Sequence, residues 1–361
     1  MKPAKIALLI FVVVIGLVFC SSSKKGKNTS GLFVIVQDGK YGYINKTGQI
    51  VILPQFDYAS DFTDGLAFVQ TGPLGDRKSS YIDTTGKVVI GPEFDVAWPF
   101  SEGMAEITIS DREGYIDKTG KIVINPQFVQ SGPFHEGLAR VRIGGTRKST
   151  EGQKWGFIDK NGNFVIEPKY NWAEDFSEGL ALVQWGEGSV GYIYLDREGN
   201  RVPNRLIYGG RNFSEGFAAV KLENKIDAQW TYIDNHGNNM TTLFFDAAYD
   251  FSEGLARVKM NGKYGYVDTS IKDIGIGRRA GDEKPKLLID AKFDDARDFS
   301  EGLAAVQIEG KWGYIDKAGK VTISPQFDKA GEFSGGLAAV QLGDRRGYIN
   351  SNGKYVWNPT K

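Results

Sequence analysis

One short β-unit recurs nine times along this chain, from about Gly31 to Pro359. Such a chain cannot rely on a single conventional core. Each unit is too small to bury its own apolar face and must stack on its neighbours. The most regular motif is an aromatic residue followed by a β-branched one: Tyr43-Ile44, Tyr81-Ile82, Tyr115-Ile116, Phe157-Ile158, Tyr192-Ile193, Tyr232-Ile233, Tyr266-Val267, Tyr314-Ile315 and Tyr348-Ile349. A glycine usually precedes it. Asp/Asn-x-x-Gly follows in eight copies, as in Asp117 to Gly120, which is the chemistry of a tight turn between antiparallel strands.

A second motif, Phe-Ser-Glu-Gly-Leu-Ala-x-Val, surrounds Gly65, Gly103, Gly137, Gly179, Gly216, Gly254, Gly302 and Gly336, and Gly31-Leu32 begins a truncated ninth copy. Alanine and a β-branched residue alternate there with a freely varying one (Phe68, Glu106, Arg140, Leu182). That pattern predicts a strand with one buried face. A third segment, such as Ile122 to Phe128, is β-branched and ends in Pro-x-Phe, where a ladder can stop. Each unit therefore reads as three antiparallel strands.

Spacing gives the array a polarity. The motif glycine lies 23 residues before the next Phe-Ser-Glu-Gly glycine in six of eight cases. The other half of the period ranges from 11 to 19 residues, so length variation collects in the hairpin between the first and second strands. In repeat arrays such variation maps to one rim, often the binding rim. Nine three-stranded units could form a curved solenoid-like or a propeller-like array. Nine exceeds the usual four to eight propeller blades, and the array starts and ends in phase, with no displaced strand to seal a ring. Both points favour an open array.

The 46 glycines serve this turn-rich plan. Formal net charge is zero, so the basic excess of a nucleic-acid binder is missing. The single cysteine excludes an intrachain disulfide and a multi-cysteine zinc site. No cofactor is expected.

The N-terminus reads as an export signal. Lys2 and Lys5 form a basic start, and Ile6 to Phe19 is a 14-residue apolar run, short for a membrane-spanning helix. Cys20 follows, then polar and basic residues suited to a flexible tether; the alternative is an uncleaved anchor helix with Cys20 a bystander. The resulting division is a signal peptide over 1–19, a tether over 20–30, and the array over 31–359.

Two resemblances sharpen this. Leu17-Val18-Phe19-Cys20 resembles a bacterial lipobox, although Phe19 stands where a small residue is usual. The resemblance implies lipidation of Cys20 and anchoring of an exported lipoprotein to a membrane, at the outer membrane or cell surface. Lys154-Trp-Gly-Phe-Ile-Asp159 and Lys311-Trp-Gly-Tyr-Ile-Asp316, with Lys40 to Asn45 and Lys263 to Asp268, resemble the bacterial WG (KWG) repeat. That family implies an all-β array with a binding or scaffolding role and no defined reaction.

The acidic row Asp64, Glu102, Glu136, Glu178, Glu215, Glu253 and Glu301 could be taken for a catalytic or cation site. A feature present in nearly every unit is better read as building the unit, each carboxylate accepting N–H groups of its own turn. His135 and His236 lie in units three apart and read as surface turn residues. Trp98, Trp172 and Trp185 read as packing. Basic loop tips are the expected partner contacts: Arg77 and Lys78, Arg147 and Lys148, and Arg278 and Arg279 in the insertion after Asp268. The glycines of that insertion (Gly275, Gly277, Gly281) lack the strand–loop–helix setting of a phosphate loop. The functional expectation is a membrane-tethered, non-enzymatic module binding an envelope or extracellular protein or glycan. The rivals are an enzyme with a site where the repeat breaks, and a spacer without specific ligand.

Overall fold

A computed structural model describes residues 30–360 apart from 74–76, 146–150, 187–190, 204, 226 and 270–286. The export signal, Cys20, Arg147, Lys148, Arg278 and Arg279 lie outside the described residues. Nine small antiparallel sheets follow one another along these residues. The first contains β1 (Leu32–Gln37), β2 (Lys40–Asn45) and β3 (Ile50–Phe56). The second adds a short strand: β4 (Tyr58–Ala59), β5 (Ala67–Thr71), β6 (Lys78–Ile82) and β7 (Val88–Phe94). Six of the nine have this four-stranded order. The expected three strands per unit thus understate most sheets, because two residues just past Pro-x-Phe pair with the next unit's first long strand.

The glycine before each aromatic has a steric cause. A Cβ on Gly42 would lie 2.6 Å from the Ile52 carbonyl oxygen and from the Pro54 nitrogen. The third strand bulges there: Tyr43 pairs with Ile52, yet Tyr41 pairs with Phe56. The bulge swings the chain off its own sheet and onto the face of the next.

Successive sheets stack face to face. The first long strands are consequently buried on both sides, which corrects the expectation of one buried face. Ala67 packs backward with Tyr43 and Phe62, while Phe68 packs forward with Tyr81 and Phe94. The freely varying position is buried as phenylalanine, glutamate, leucine, alanine or arginine alike (Phe68, Glu106, Leu182, Ala219, Arg257).

The motif residues also point forward. Tyr43 donates its hydroxyl to the Ser60 carbonyl of the next unit at 2.7 Å, and Tyr81, Tyr115, Tyr232, Tyr266 and Tyr314 make the same bond; in the fifth unit Tyr194, followed by Leu195, makes it in place of the expected Tyr192-Ile193. The motif serine does likewise, as Ser101 Oγ donates to the Phe134 carbonyl at 2.7 Å. Each tyrosine (Phe157 in the fourth sheet) meets the next unit's motif phenylalanine with ring centroids 4.8–5.1 Å apart.

The array closes into a propeller-like ring, against the expectation of an open one. Phe33, Ile35 and Ile44 of the first sheet share a cluster with Leu337, Tyr348, Val356 and Trp357 of the last. No strand is exchanged to achieve this. In the second sheet, the short strand supplies N–H groups of Ser60 and Asp57 to the carbonyls of Phe68 and Gln70. The first sheet has no such strand among the described residues. Its equivalent carbonyls, Val34 and Val36, accept the hydroxyls of Tyr348 (2.8 Å) and Thr360 (2.9 Å) instead. Phe33 stands where every other copy has alanine, and its ring fills the place of the missing motif phenylalanine, 5.6 Å from Tyr348.

Candidate functional site

Strand direction gives the ring two unlike faces. The Phe-Ser-Glu-Gly and Asp-x-x-Gly turns share one face, here called the turn face. The variable hairpins and the Pro-x-Phe corners share the other, the hairpin face.

The turn face is self-engaged. Each motif carboxylate accepts N–H groups of the next unit's turn, which corrects the expectation that it serves its own. Glu102 accepts from Glu136 (2.6 Å) and Gly137 (2.9 Å), Glu136 from Glu178 and Gly179, Glu178 from Glu215 and Gly216, and Glu253 from Glu301 and Gly302. Asp64, Glu215 and Glu301 each hold one such N–H, at Gly103, Gly254 and Gly336. The carboxylates themselves sit at positive φ, Glu102 at 52° for example. Partial burial opposes ionisation of Glu102, but the N–H groups of Gly137 and Glu136 and the Lys160 ammonium outweigh it and lower its pKa. An acidic row spent on backbone donors is a chain of clasps rather than a catalytic array.

The hairpin face is braced more loosely. Asp57, just past Pro-x-Phe, takes the Lys40 ammonium at 2.7 Å and the Gly72 N–H at 2.9 Å, and both lower its pKa. Asp328 repeats this with Lys311 and Gly343. Of the expected contacts, Arg77 lies half-buried near Asp57, and Lys78 opens β6 exposed. Trp98 and Trp185 are about half exposed, unlike the packing expected of them. Trp172 packs edge-on against Tyr192 at 5.8 Å. His236 sits in its turn, its N–H bonded to Asp234, whereas His135 faces Asp175 at 4.0 Å.

A charged cluster interrupts the repeat between the third and fifth sheets, built in part on the freely varying positions Glu106 and Arg140. Glu106 and Glu113 are each only 6% exposed. Arg140 Nε lies 2.9 Å from Asp175 Oδ1, close but misaligned for a hydrogen bond. Its Nη1 donates to the Ala173 carbonyl at 2.6 Å and reaches Glu174 at 3.4 Å. Arg140 and Arg142 both lie over the Trp155 ring, at 5.5 and 5.3 Å. Glu113 accepts from the Ser131 hydroxyl at 2.9 Å and from its N–H. Burial pushes the Glu106 carboxyl up to about 8, and the charges of Asp175 and Glu113 add to it. Burial raises Asp175 as well, with Arg140 and His135 opposing. The available signal was a charged residue at the varying position in three copies, Glu106, Arg140 and Arg257.

None of these residues lines either of two cavities found elsewhere in the ring. One cavity of about 430 Å³ is lined by Leu243, Met260, Lys263, Leu287 and Asp290. Another of about 410 Å³ lies by Lys221, Asp227, Gln229 and Asp246. Both belong to the sixth and seventh units. Among the described residues no group of His, Cys, Asp and Glu is placed to hold a metal ion, and no helix is long and apolar enough to cross a membrane.

Comparison with known proteins bears on the fold and family. Among solved structures, the chain resembles the dihydro-heme d1 dehydrogenase NirN (13% identity, TM-score 0.47, covering 95% of this chain and 76% of that one). It also resembles the tricorn protease (11%, 0.36, 93% and 47%) and puromycin hydrolase (10%, 0.39, 84% and 53%). The chain spans about half the length of the latter two. Likeness this distant carries no functional argument. No curated protein matches the sequence. The model of the WG containing repeat matches eight segments, 41–72, 80–111, 114–146, 155–186, 210–225, 230–264, 282–312 and 312–345. These segments cover more than half of the chain, and the first of them runs from the second strand of one sheet to the first long strand of the next, so the chain belongs to the WG-repeat family.

Proposed function

We propose that this protein is an exported, membrane-tethered lipoprotein anchored through Cys20, a non-enzymatic ring that presents its hairpin face to an envelope or extracellular protein or glycan. The carrying observation is the contrast between faces. The turn face is clasped unit to unit, whereas the hairpin face holds most of the length variation and the basic loops. Arg77 and Lys78 lie in one such hairpin, and Arg147 and Lys148 belong to the segment joining the strands that carry Arg142 and Trp155. Arg278 and Arg279 follow Asp268 in the sequence, outside the segments that join first and second strands, so they are a separate candidate contact. The non-enzymatic reading draws support from the separation of the perturbed carboxyls from both cavities.

Two measurements test this. The full chain is screened against immobilised envelope glycans and exported proteins, beside a variant whose residues 144–153 are cut to Asn-Gly. Saturable binding weakened in the trimmed variant is expected; no saturable binding to any probe would sink the proposal. For the anchor, Cys20→Ala is expected to abolish lipid labelling and precursor processing. Unchanged labelling would remove Cys20 from the role.

A further inference from the structure

The seam between the ninth and first units differs in charge from the rest of the turn face. In the third, fourth and eighth units the lysine after the turn opener is captured by the preceding unit. Lys118 Nζ donates to the Asp64 carbonyl at 2.6 Å. Lys160 bonds the Glu102 carbonyl at 2.8 Å and lies 3.3 Å from its carboxylate, and Lys317 repeats this with Glu253 at 2.8 and 3.4 Å. Lys46 is the equivalent residue of the first unit. The unit preceding it around the ring is the ninth, where Gly335 replaces the motif glutamate. Lys46 is exposed and forms no ion pair among the described residues.

Three more departures coincide. Turn openers elsewhere are aspartate, but the two seam units carry Asn45 and Asn350. Ser30 occupies the acidic slot of the first unit. Lys354 is exposed on the neighbouring turn. Beside these two lysines lie Ile50 and Val51, 41% and 44% exposed, and the half-exposed Tyr355 and Val356. The second to fourth units repeat the exposed apolar pair (Val88-Val89, Ile122-Val123, Phe164-Val165), but there the acidic slots are filled. Among the described residues, the seam combines such an aliphatic pair with a lysine, Lys46, that faces Gly335 instead of a motif carboxylate, and with turn openers that carry no charge. The chain also enters β1 at this point, where a Cβ on Gly31 would touch Lys46 Cε at 3.7 Å.

We infer that the seam side of the turn face rests on an anionic lipid surface. Ile50 and Val51 enter the interfacial layer, and Lys46 and Lys354 meet the headgroups. Basic residues beside exposed apolar ones are the composition that binds such surfaces, and the lipid charge complements lysines the fold leaves unpaired. A tether reaching β1 from the bilayer delivers this edge first, and the hairpin face then points outward. The inference rests on the tethered reading above and adds an orientation to it.

The test uses full-length protein with a photo-crosslinking benzoylphenylalanine at position 51 or, at the opposite end of the same sheet, position 37. It is mixed with excess vesicles of phosphatidylcholine alone or with added phosphatidylglycerol. Lipid adducts at 51 should exceed those at 37 by about fivefold in the anionic vesicles, with the excess lost in neutral ones. Two variants should bring the ratio to parity. Gly335→Glu restores the missing carboxylate beside Lys46, and Lys46→Gln with Lys354→Gln removes the surface charge without touching packing. Equal adducts at 51 and 37, or an excess indifferent to phosphatidylglycerol, overturns the docking face. Flotation of the unmodified chain is read separately. A chain that floats with neither vesicle defeats the tether, and the crosslinking ratio with excess vesicles still decides the face.

Discussion

Eight junctions in this ring are made one way and the ninth another. At the regular junctions a tyrosine (Phe157 once) packs on the next unit's motif phenylalanine, and a carboxylate or a tyrosine hydroxyl takes hold of the next unit's backbone. At the seam, Phe33 supplies the ring, the hydroxyls of Tyr348 and Thr360 cap two carbonyls that lack a pairing strand, and Gly335 omits the clasp. The difference shows that the repeated motif describes an interface more than a unit. The motif glutamate is absent at Gly335, where the first unit is entered without a motif phenylalanine turn, while Tyr348 is kept and turns its hydroxyl to a different partner.

The largest effect expected is at this plug. Phe33→Ala should cost about 3–5 kcal/mol in urea unfolding, comparable to Phe299→Ala at a regular junction, because both empty an aromatic slot. The reverse graft, Ala304→Phe, should also destabilise, by about 1–3 kcal/mol, since Phe299 already fills that slot. If Ala304→Phe is neutral, the two kinds of junction are not alternatives.

A smaller effect separates the charged junctions from the apolar ones. The Glu106 pKa is raised by burial to about 8, so the folded state holds a proton that the unfolded chain releases near its ordinary value. Stability from this group is complete below about pH 4.3 and declines as pH rises toward 8. Glu106→Gln should therefore match the parent at pH 4 and exceed it by about 1–3 kcal/mol at pH 8. Thermal melts across that range check it; a constant difference would count against a buried acid.

The smallest effect concerns a clasp. Glu253→Gln should lose about 1 kcal/mol at neutral pH, since the site is partly exposed and an amide keeps one acceptor. Partial burial opposes its ionisation, yet the N–H groups of Gly302 and Glu301 and the Lys317 ammonium leave its pKa lowered. The clasp's stabilisation is present above the ordinary glutamate range and lost as pH falls through that lowered value. Parent and variant melts should converge in acid.

Much of this was legible early. Strand and turn positions followed from periodicity and from Asp-x-x-Gly, where Asp117 Oδ1 takes the N–H groups of Thr119 and Lys121 as such turns require. The structural reading of the acidic row held in kind and failed in address, because sequence spacing cannot tell a turn's own N–H from its neighbour's. The buried Glu106 and the half-buried Arg140 and Asp175 are not legible for a related reason. A position that tolerates phenylalanine, glutamate and arginine looks exposed until a second sheet is laid over it.

By itself the sequence determined the repeat, its strands, its turns and which hairpin varies, since these depend on contacts within about forty residues. Closure was decided only by the tertiary structure. Phe33 and Tyr348 are far apart in the chain, and nothing in the spacing of either repeat says how far each sheet rotates on the last. Small rotations accumulated over nine stacked sheets bring the first face back to the last, and only then do Phe33, Gly335 and Thr360 read as parts of one junction.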